Sequence, residues 1–514
     1  MQNLVKLTQN KFNKFIRYLF SFKQLPWTII SFGILVRLVQ YLFNRSLWND
    51  EAALALNIVN RSYSQLLQPL DYDQAAPIGF LFTQKLAIQL FGNNEYALRL
   101  FPFLAAVISL FLFYQLAKRC LQPQAAIIAL ALFSTLHIWL QYATEVKQYS
   151  SDVAIAVLLC LLLMPMHKNL SITAIITYSI VGAITIWFSH PAIFVLAGIG
   201  ISCFLLSLGN KKLSVSLKLI GIYLTWGLSF ASFYLLTLKD LANQEDLYNS
   251  WQGRGTFPVS FLDINWLFTS FIDFFHKPLG FPDIFVGIAI FAFLAGCTSL
   301  FYKRKAVLLV LLSPIIVTYF AAYLHKYPFD GRLVLFLIPF FTLLIGEGAD
   351  LIRRKTASTS FAKVGILVLV LLLVPPLGTA GYLIFKPYVK QEIRPVISYM
   401  RKHQQAGDIV YVYQRAEYQF KYYANKFGYQ PGDYILGIDD LDKQDGQGTS
   451  AAEWQRYKSD LDKLRGNSRV WIIFSHVRTW DRESERITEY LDQFGKQIDV
   501  FKQEGSFVYL YDLS

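Results

Sequence analysis

The sequence predicts an α-helical polytopic membrane protein that ends in a small α/β domain. The chain has 514 residues, of which 54% are hydrophobic and only 16% are charged, whereas a soluble domain carries about 25% charged residues. Apolar runs of about 20 residues recur between residues 26 and 385, which is the length that crosses a bilayer. After residue 386, strand and helix patterns alternate, as in an α/β domain. A large soluble helical protein would need polar helix faces, which the apolar runs lack.

Basic clusters between the apolar runs predict the topology. The formal net charge is +13, but residues 386–514 carry equal numbers of acidic and basic residues. The excess therefore lies in the membrane part, which argues against nucleic acid as a partner. Placing every basic cluster in the cytoplasm predicts eleven spans, with the N-terminus inside and the C-terminus outside. The spans are expected at 26–44, 95–117, 124–143, 150–166, 171–189, 191–209, 214–237, 282–301, 306–323, 333–350 and 361–385.

Two further features concern the N-terminus and the cysteines. Residues 1–25 are basic and amphipathic, which predicts a cytoplasmic helix along the membrane surface. All cysteines lie in or at the ends of apolar segments, so neither a disulfide framework nor a Cys-x-x-Cys metal pair is indicated. They are Cys120, Cys160, Cys203 and Cys297.

Three regions of the predicted topology face outward and exceed simple turns. The loop 45–94 contains helical patterns at Asn49–Leu67 and Ala76–Phe91, and the second is expected to lie along the interface. The loop 238–281 is rich in aromatic and polar residues, which suits a membrane surface or a sugar. The third region is the predicted α/β domain, residues 386–514.

Strand patterns in this last region alternate with helical ones. The strands are expected at 408–413, 469–476 and 506–512, and the helices at 391–405, 416–426, 453–465 and 483–494. Because no phosphate-binding glycine motif precedes these helices, a nucleotide site is not indicated.

Polar residues converge on the outer face, where charged groups are expensive and are usually partnered or functional. They are Arg37, within the first span, and Asp50, Glu51, Glu145, Lys147, Tyr149, His190, His325, Lys326, Asp330 and Arg332. Each also has a structural interpretation. Asn49 or Asp50 is a good N-cap, His190 could only end a span, and Arg332 could extend to the interface. Glu145 and Lys147, two residues apart, would not share a helix face.

The run WNDEAALALN, with APIGFLFTQKLAIQLFGNNEYALRL after it, resembles the N-terminal half of the GT-C glycosyltransferases. It is most similar to the bacterial branch that includes protein O-mannosyltransferases and aminoarabinose transferases. The resemblance spans about residues 30–350. The matching positions are Asp50, Glu51 and Ala52 after the first span; Gly92, Glu95, Arg99 and Leu100; Glu145, Lys147 and Tyr149; and Arg332 with Pro339.

The resemblance implies a GT-C fold and a reaction at the outer face of a bacterial plasma membrane. A sugar, hexose or pentose, moves from a polyprenyl-phosphate donor to an acceptor, with inversion at the anomeric carbon. The acceptor could be a protein, a lipid or a polysaccharide of the cell envelope. Apart from the donor, the acceptor and membrane lipids, no partner is implied.

The resemblance also assigns roles to residues. Asp50 is the expected general base and Glu51 its helper. Donor-phosphate contacts are expected from Lys147, Arg332, Arg37 and Arg99, with supporting roles for Glu145, Tyr149 and His190. No cofactor is firmly implied; if a divalent cation is used, Glu145 and His190 are the expected ligands. Lys147 stands where many relatives carry Arg. Its ammonium group is a point charge, whereas a guanidinium would offer two parallel hydrogen-bond donors to a phosphate.

Two other classes of function fit a polytopic chain. A transporter of lipid-linked glycans would show inverted repeats and charged helices near the bilayer centre, whereas this sequence has no internal repeat and its polar residues gather at one face. An outer-face glycan polymerase or ligase would use similar spans and donors. It would lack the Asp-Glu pair after the first span.

Overall fold

A computed structural model describes residues 23–168, 170–210, 213–239, 255–438, 449–477 and 482–514. The predicted surface helix over residues 1–25 lies almost entirely outside these residues. So does part of the outer loop 238–281.

The membrane part is a bundle of apolar helices. Within the described residues, nine helices are long and apolar enough to cross a membrane. They are Leu25–Phe43, Glu95–Cys120, Tyr149–His167, Ala192–Gly209, Leu213–Thr237, Asp283–Lys303, Lys305–Tyr323, Gly331–Thr356 and Ala362–Phe385. Each coincides with a predicted span, so the α-helical membrane fold class is confirmed. The orientation of the termini stays a prediction.

The other two predicted spans form shorter helices. The span expected at 124–143 is divided into Pro123–Thr135 and His137–Tyr142. At Leu136 the backbone leaves the helical region, with φ −55° and ψ 120°. The span expected at 171–189 is the helix Ile172–Phe188, which at 1.5 Å per residue is about 26 Å long. It is slightly shorter than the hydrocarbon core, about 30 Å thick.

Close helix packing in the bundle depends on two glycines. Gly348, in the helix Ile338–Thr356, faces the helix Asp283–Lys303, and a Cβ atom at this position would collide with the carbonyl oxygen of Ala292. A Cβ atom at Gly296 on the partner helix would collide with the carbonyl oxygen of Leu344. Small residues let membrane helices approach closely, and this contact anchors the helical segment that begins at Gly331.

Two helices lie outside the bundle between the first two spans, as predicted, at Asn49–Asn60 and Ile78–Phe91. The first ends earlier than expected because Arg61 is extended. Its N-cap position is Trp48, whose backbone N–H donates to Oε2 of Glu51 at 3.3 Å. The expectation of an N-cap at Asn49 or Asp50 was wrong, because these two residues are already the first two of the helix. A further helix, Ile264–His276, lies in the loop 238–281.

The C-terminal region contains a five-stranded sheet with the order β2-β1-β3-β5-β4. The strands are β1 (Ile409–Val412), β2 (Ile435–Leu436), β3 (Val470–Ser475), β4 (Lys496–Gln503) and β5 (Ser506–Asp512). β1 runs parallel to β2 and β3, and β5 runs antiparallel to β3 and β4. The predicted small α/β domain is therefore confirmed as a fold class. Its helices are Ile393–His403, Glu417–Ala424, Ala451–Leu461 and Glu483–Leu491.

The sequence patterns missed β2 and β4, the two edge strands. β4 pairs only with β5 and no residue along it is fully buried. An edge strand of this kind lacks the apolar run or strict alternation that identifies a strand in sequence.

Candidate active site

Asp50, in the first turn of the helix Asn49–Asn60, makes two ion pairs. Its Oδ1 lies 3.1 Å from Nζ of Lys147, and its Oδ2 lies 2.6 Å from Nη1 of Arg332. Lys147 comes from the turn before the span Tyr149–His167, and Arg332 from the start of the segment Gly331–Thr356. The fold thus brings together three charged residues that are far apart in the chain.

Gln74 connects the acid to one of these cations. Its Nε2 donates to Oδ1 of Asp50 at 3.2 Å, and its Oε1 accepts from Nζ of Lys147 at 2.5 Å. The four residues Asp50, Gln74, Lys147 and Arg332 are called the Asp50 cluster below. Sequence reasoning missed Gln74, because a single glutamine in a polar loop carries no pattern.

Aromatic rings and a further cation border the Asp50 cluster. The guanidinium carbon of Arg332 lies 5.6 Å from the ring centroid of Trp48 and 5.9 Å from that of Tyr149. Nζ of Lys390 lies 3.0 Å from the Trp48 centroid. Lys390 was also missed, although a signal existed. It follows the last predicted span on the outer side, where basic residues are under-represented.

Glu51 occupies a separate cluster with Arg99 and Arg45, called the Glu51 cluster below. Arg99 donates from Nε and Nη2 to the Glu51 carboxylate at 3.1 and 2.8 Å, and from Nη1 to the carbonyl of Arg45 at 2.6 Å. The backbone N–H of Val146 also donates to Glu51, at 2.8 Å. Glu51 and Arg99 have side-chain exposures of 0% and 1%. Arg99 is therefore paired with a buried acid, and both oxygens of the Glu51 carboxylate accept hydrogen bonds from the protein.

Arg37 and His190 have other described contacts. Arg37 is buried in the first span, where Nη1 donates to the carbonyls of Gly33 and Ser134 at 3.0 Å. Among the described ion pairs, neither Arg37 nor Arg99 contacts Asp50. The ring of His190 packs beside Phe233, with centroids 5.6 Å apart.

The pKa values of two acids of the site, Asp50 and Glu145, are shifted in opposite directions. Burial favours the neutral form of Asp50, but Arg332 and Lys147 outweigh it and hold the pKa of this carboxyl well below its usual range. Burial and the charge of Glu51 raise the pKa of Glu145 to about 6, although Lys390 opposes this shift. Oε2 of Glu145 has no hydrogen-bond partner among the described residues. Burial lowers the pKa of Lys390.

The side chains of the site suit the binding of an anion better than that of a divalent cation. Across the described part of the chain, no group of three or more His, Cys, Asp or Glu side chains could hold a metal ion. The oxygens of Asp50 already face Lys147 and Arg332. Lys390 adds a third positive charge nearby.

Of two cavities in the described part of the chain, one includes a residue of the Asp50 cluster. The first is lined by Trp266, Ser270 and Asp273, and by Gly331, the residue before Arg332 in the chain. The second includes Gln74 of the cluster together with His190 and mostly apolar side chains such as Leu70 and Ile78. Gln74 thus connects the Asp50 cluster to a largely apolar space.

Comparisons with known proteins agree with this architecture. A family model described as dolichyl-phosphate-mannose-protein mannosyltransferase matches residues 75–235. No curated protein matches the chain in sequence. The fold resembles ArnT from Cupriavidus metallidurans bound to undecaprenyl phosphate, with a TM-score of 0.54 at 12% identity, covering 94% of this chain and 97% of that one. The apo state of the same protein gives a TM-score of 0.51 at 12% identity, with the same coverage of both chains.

A third solved structure extends the likeness. The oligosaccharyltransferase of Archaeoglobus fulgidus, tethered to an acceptor peptide, has a TM-score of 0.50 at 11% identity, covering 96% of this chain and 74% of that one. Taken with the bundle of apolar helices and the C-terminal sheet, these likenesses show that the chain shares the fold of these two membrane glycosyltransferases, and that residues 75–235 resemble the mannosyltransferase family.

Proposed function

We propose that the chain is an inverting glycosyltransferase that moves a sugar from a polyprenyl-phosphate donor to an acceptor at the outer face of the bacterial plasma membrane. The observation that carries this proposal is the Asp50 cluster. One carboxylate is held between two cations, and Gln74, which bonds to both Asp50 and Lys147, lines a cavity. The neighbour ArnT binds undecaprenyl phosphate, and the Archaeoglobus enzyme was captured with an acceptor peptide. Both findings support a lipid-linked donor and a separate acceptor here.

In the proposed step, the acceptor hydroxyl attacks the anomeric carbon of the donor sugar. The new carbon–oxygen bond forms as the bond from that carbon to the phosphate oxygen breaks. The hydroxyl proton passes to the carboxylate of Asp50, and polyprenyl phosphate leaves. A positioned carboxylate in this role accelerates such a step by about 10²- to 10⁴-fold.

Lys147 and Arg332 are the proposed phosphate ligands. The bond that breaks leaves an additional negative charge on the phosphate, and fixed cations in a partly dehydrated site stabilise it. The planar guanidinium of Arg332 offers two parallel donors, whereas Lys147 offers a point charge.

The same ion pairs suggest how the base becomes active. With its pKa held well below the usual range, Asp50 is a weak base in the free protein. A donor phosphate competes for Lys147 and Arg332. As these cations turn toward the phosphate, the pKa of Asp50 rises and the carboxylate accepts a proton more readily. Donor binding then prepares the base.

Lipid analysis of cells tests this function. In cells that lack the protein, mass spectrometry should detect accumulation of one polyprenyl-linked sugar and loss of one outer-surface glycan. The wild-type gene should restore both, and the Asp50→Asn gene should restore neither. Unchanged lipid-linked sugars in the deletion strain, or full restoration by Asp50→Asn, would contradict the proposal.

A further inference from the structure

The short segment 44–49 connects the first span to the helix that carries Asp50. Several backbone groups of this segment bond to side chains of the C-terminal region, more than 340 positions away in the chain, while others bond to Arg99 and Glu51. Neither the sequence patterns nor the proposed chemistry accounts for this arrangement.

Three backbone N–H groups of the segment donate to side chains of the C-terminal region. Ser46 donates to Oε1 of Glu392 at 2.9 Å, and Leu47 donates to the hydroxyl of Tyr423 at 2.9 Å. Asn49 donates to Oε1 of Gln391 at 3.0 Å. The N–H of Asn49 is one of the first in its helix, so it has no partner within that helix.

Backbone carbonyls of the segment are held in the same way. Nε2 of Gln419 donates to the carbonyl of Leu47 at 2.8 Å, and Nη2 of Arg394 donates to that of Asn44 at 2.6 Å. Unpaired buried backbone groups are costly, so these side chains supply contacts that the segment needs. The C-terminal region therefore helps to fix the path of the chain into Asp50.

The contacts are anchored on both sides. The hydroxyl of Tyr423 donates to Oε1 of Glu95 at 2.8 Å, which connects the C-terminal region to the second span. Gln391 also contacts His476 directly after β3, at 2.7 Å between Nε2 and Nδ1. The segment is thus held between the membrane bundle and the sheet.

From these contacts we infer that Gln391, Glu392 and Tyr423 are positioning residues for Asp50, and that the C-terminal domain is an integral part of the active site. This inference rests on the proposed transferase function. A base must lie within hydrogen-bond reach of the proton it removes, and a displacement of about 1 Å can cost about a hundredfold in rate. Loosening segment 44–49 moves Asp50 relative to Lys147 and Arg332.

The inference differs from a role in acceptor recognition. If the C-terminal domain only bound the acceptor, its loss would spare hydrolysis of the donor by water. If it positions Asp50, disturbing the contacts lowers donor hydrolysis and sugar transfer together, because both need the same base.

A matched pair of tyrosine variants tests this. Tyr423→Phe removes the hydroxyl that contacts Leu47 and Glu95. Tyr399→Phe removes a hydroxyl that donates to Asp499 at 2.7 Å, within the C-terminal region. The purified full-length proteins in lipid nanodiscs are compared by hydrogen–deuterium exchange of the backbone amides of residues 46–49. The same samples are assayed for hydrolysis and transfer with polyprenyl-phosphate sugars.

We expect Tyr423→Phe, and likewise Gln391→Ala, to speed amide exchange in segment 46–49. Both should lower kcat for hydrolysis and transfer by about ten- to a hundredfold with donor KM within twofold. Tyr399→Phe should leave all these values unchanged. Unchanged exchange in Tyr423→Phe and Gln391→Ala overturns the inference, as does faster exchange with normal kcat, or a loss of transfer alone. Exchange needs no substrate, so a wild-type protein that acts on no lipid-linked sugar would refute the proposed function separately.

Discussion

The adjacent acids Asp50 and Glu51 lie in two regions of opposite character. Glu51 is fully buried and receives two bonds from Arg99, with a third from the backbone of Val146. Asp50 keeps 17% of its side chain exposed and is paired with Lys147 and Arg332, and its hydrogen-bond partner Gln74 lines a cavity. The Glu51 carboxylate has its hydrogen bonds filled by protein groups, whereas in the proposed mechanism Asp50 gives up its cations to a phosphate. This difference in burial and pairing fits the proposed roles, structural for Glu51 and chemical for Asp50.

The largest expected effect is that of Asp50→Asn on transfer. Without the carboxylate, the acceptor proton has no base, and the rate should fall by about 10²- to 10⁴-fold. Thermal denaturation in detergent should show a protein close to wild type in stability, because the site is partly exposed. A variant that unfolds instead would make Asp50 structural and remove the contrast with Glu51.

Glu51→Gln should act on stability. Removing one partner of a buried ion pair leaves Arg99 uncompensated, and the free energy of unfolding should fall by about 3–5 kcal/mol. The control is Asp71→Asn, which breaks the exposed pair between Asp71 and Arg61 (side-chain exposures of 59% and 16%). It should cost at most about 1 kcal/mol. Equal losses from both variants would show that the Glu51 cluster contributes no more than a surface pair.

Arg332→Gln should reduce kcat by about 10²- to 10³-fold, because the departing phosphate loses a fixed cation. Lys326→Met removes an exposed cation from the same outer loop and serves as the control. Steady-state kinetics with a lipid-linked sugar distinguishes the two variants. If both reduce the rate equally, the loop acts only through its general charge.

The smallest expected effect concerns Glu145. Its pKa is raised to about 6, so it is neutral below pH 6 and negatively charged above. The charged form weakens the attraction between the site cations and the donor phosphate. Donor KM should therefore rise about three- to tenfold as the pH increases through 6, and Glu145→Gln should remove this dependence. A wild-type KM that stays flat from pH 5 to 7 would contradict the assignment.

Much of the fold could be predicted from the sequence, because apolar length and basic clusters follow directly from the bilayer. The break at Leu136 was not predictable, since the residues on both sides remain apolar and helical in character. The edge strand β4 was not predicted, because it is exposed or half-buried along its length and its sequence lacks a strict alternation of apolar and polar residues.

The site was predictable only where it matches family motifs. Asp50, Lys147 and Arg332 belong to three such motifs, and the structure brings them together. Gln74 and Lys390 belong to none. Their roles arise from tertiary contacts across long sequence separations, which leave no trace in the local pattern.

The donor affinity of Asp50→Asn in nanodiscs, measured together with transfer, tests the proposed role of Asp50 most directly. In the proposed mechanism, Asp50 of the wild type competes with the donor phosphate for Lys147 and Arg332. Removing its charge should therefore tighten donor binding while transfer is lost. Weaker donor binding by Asp50→Asn, or transfer near the wild-type rate, would contradict the claim that a phosphate displaces this carboxylate and is then attacked with its help.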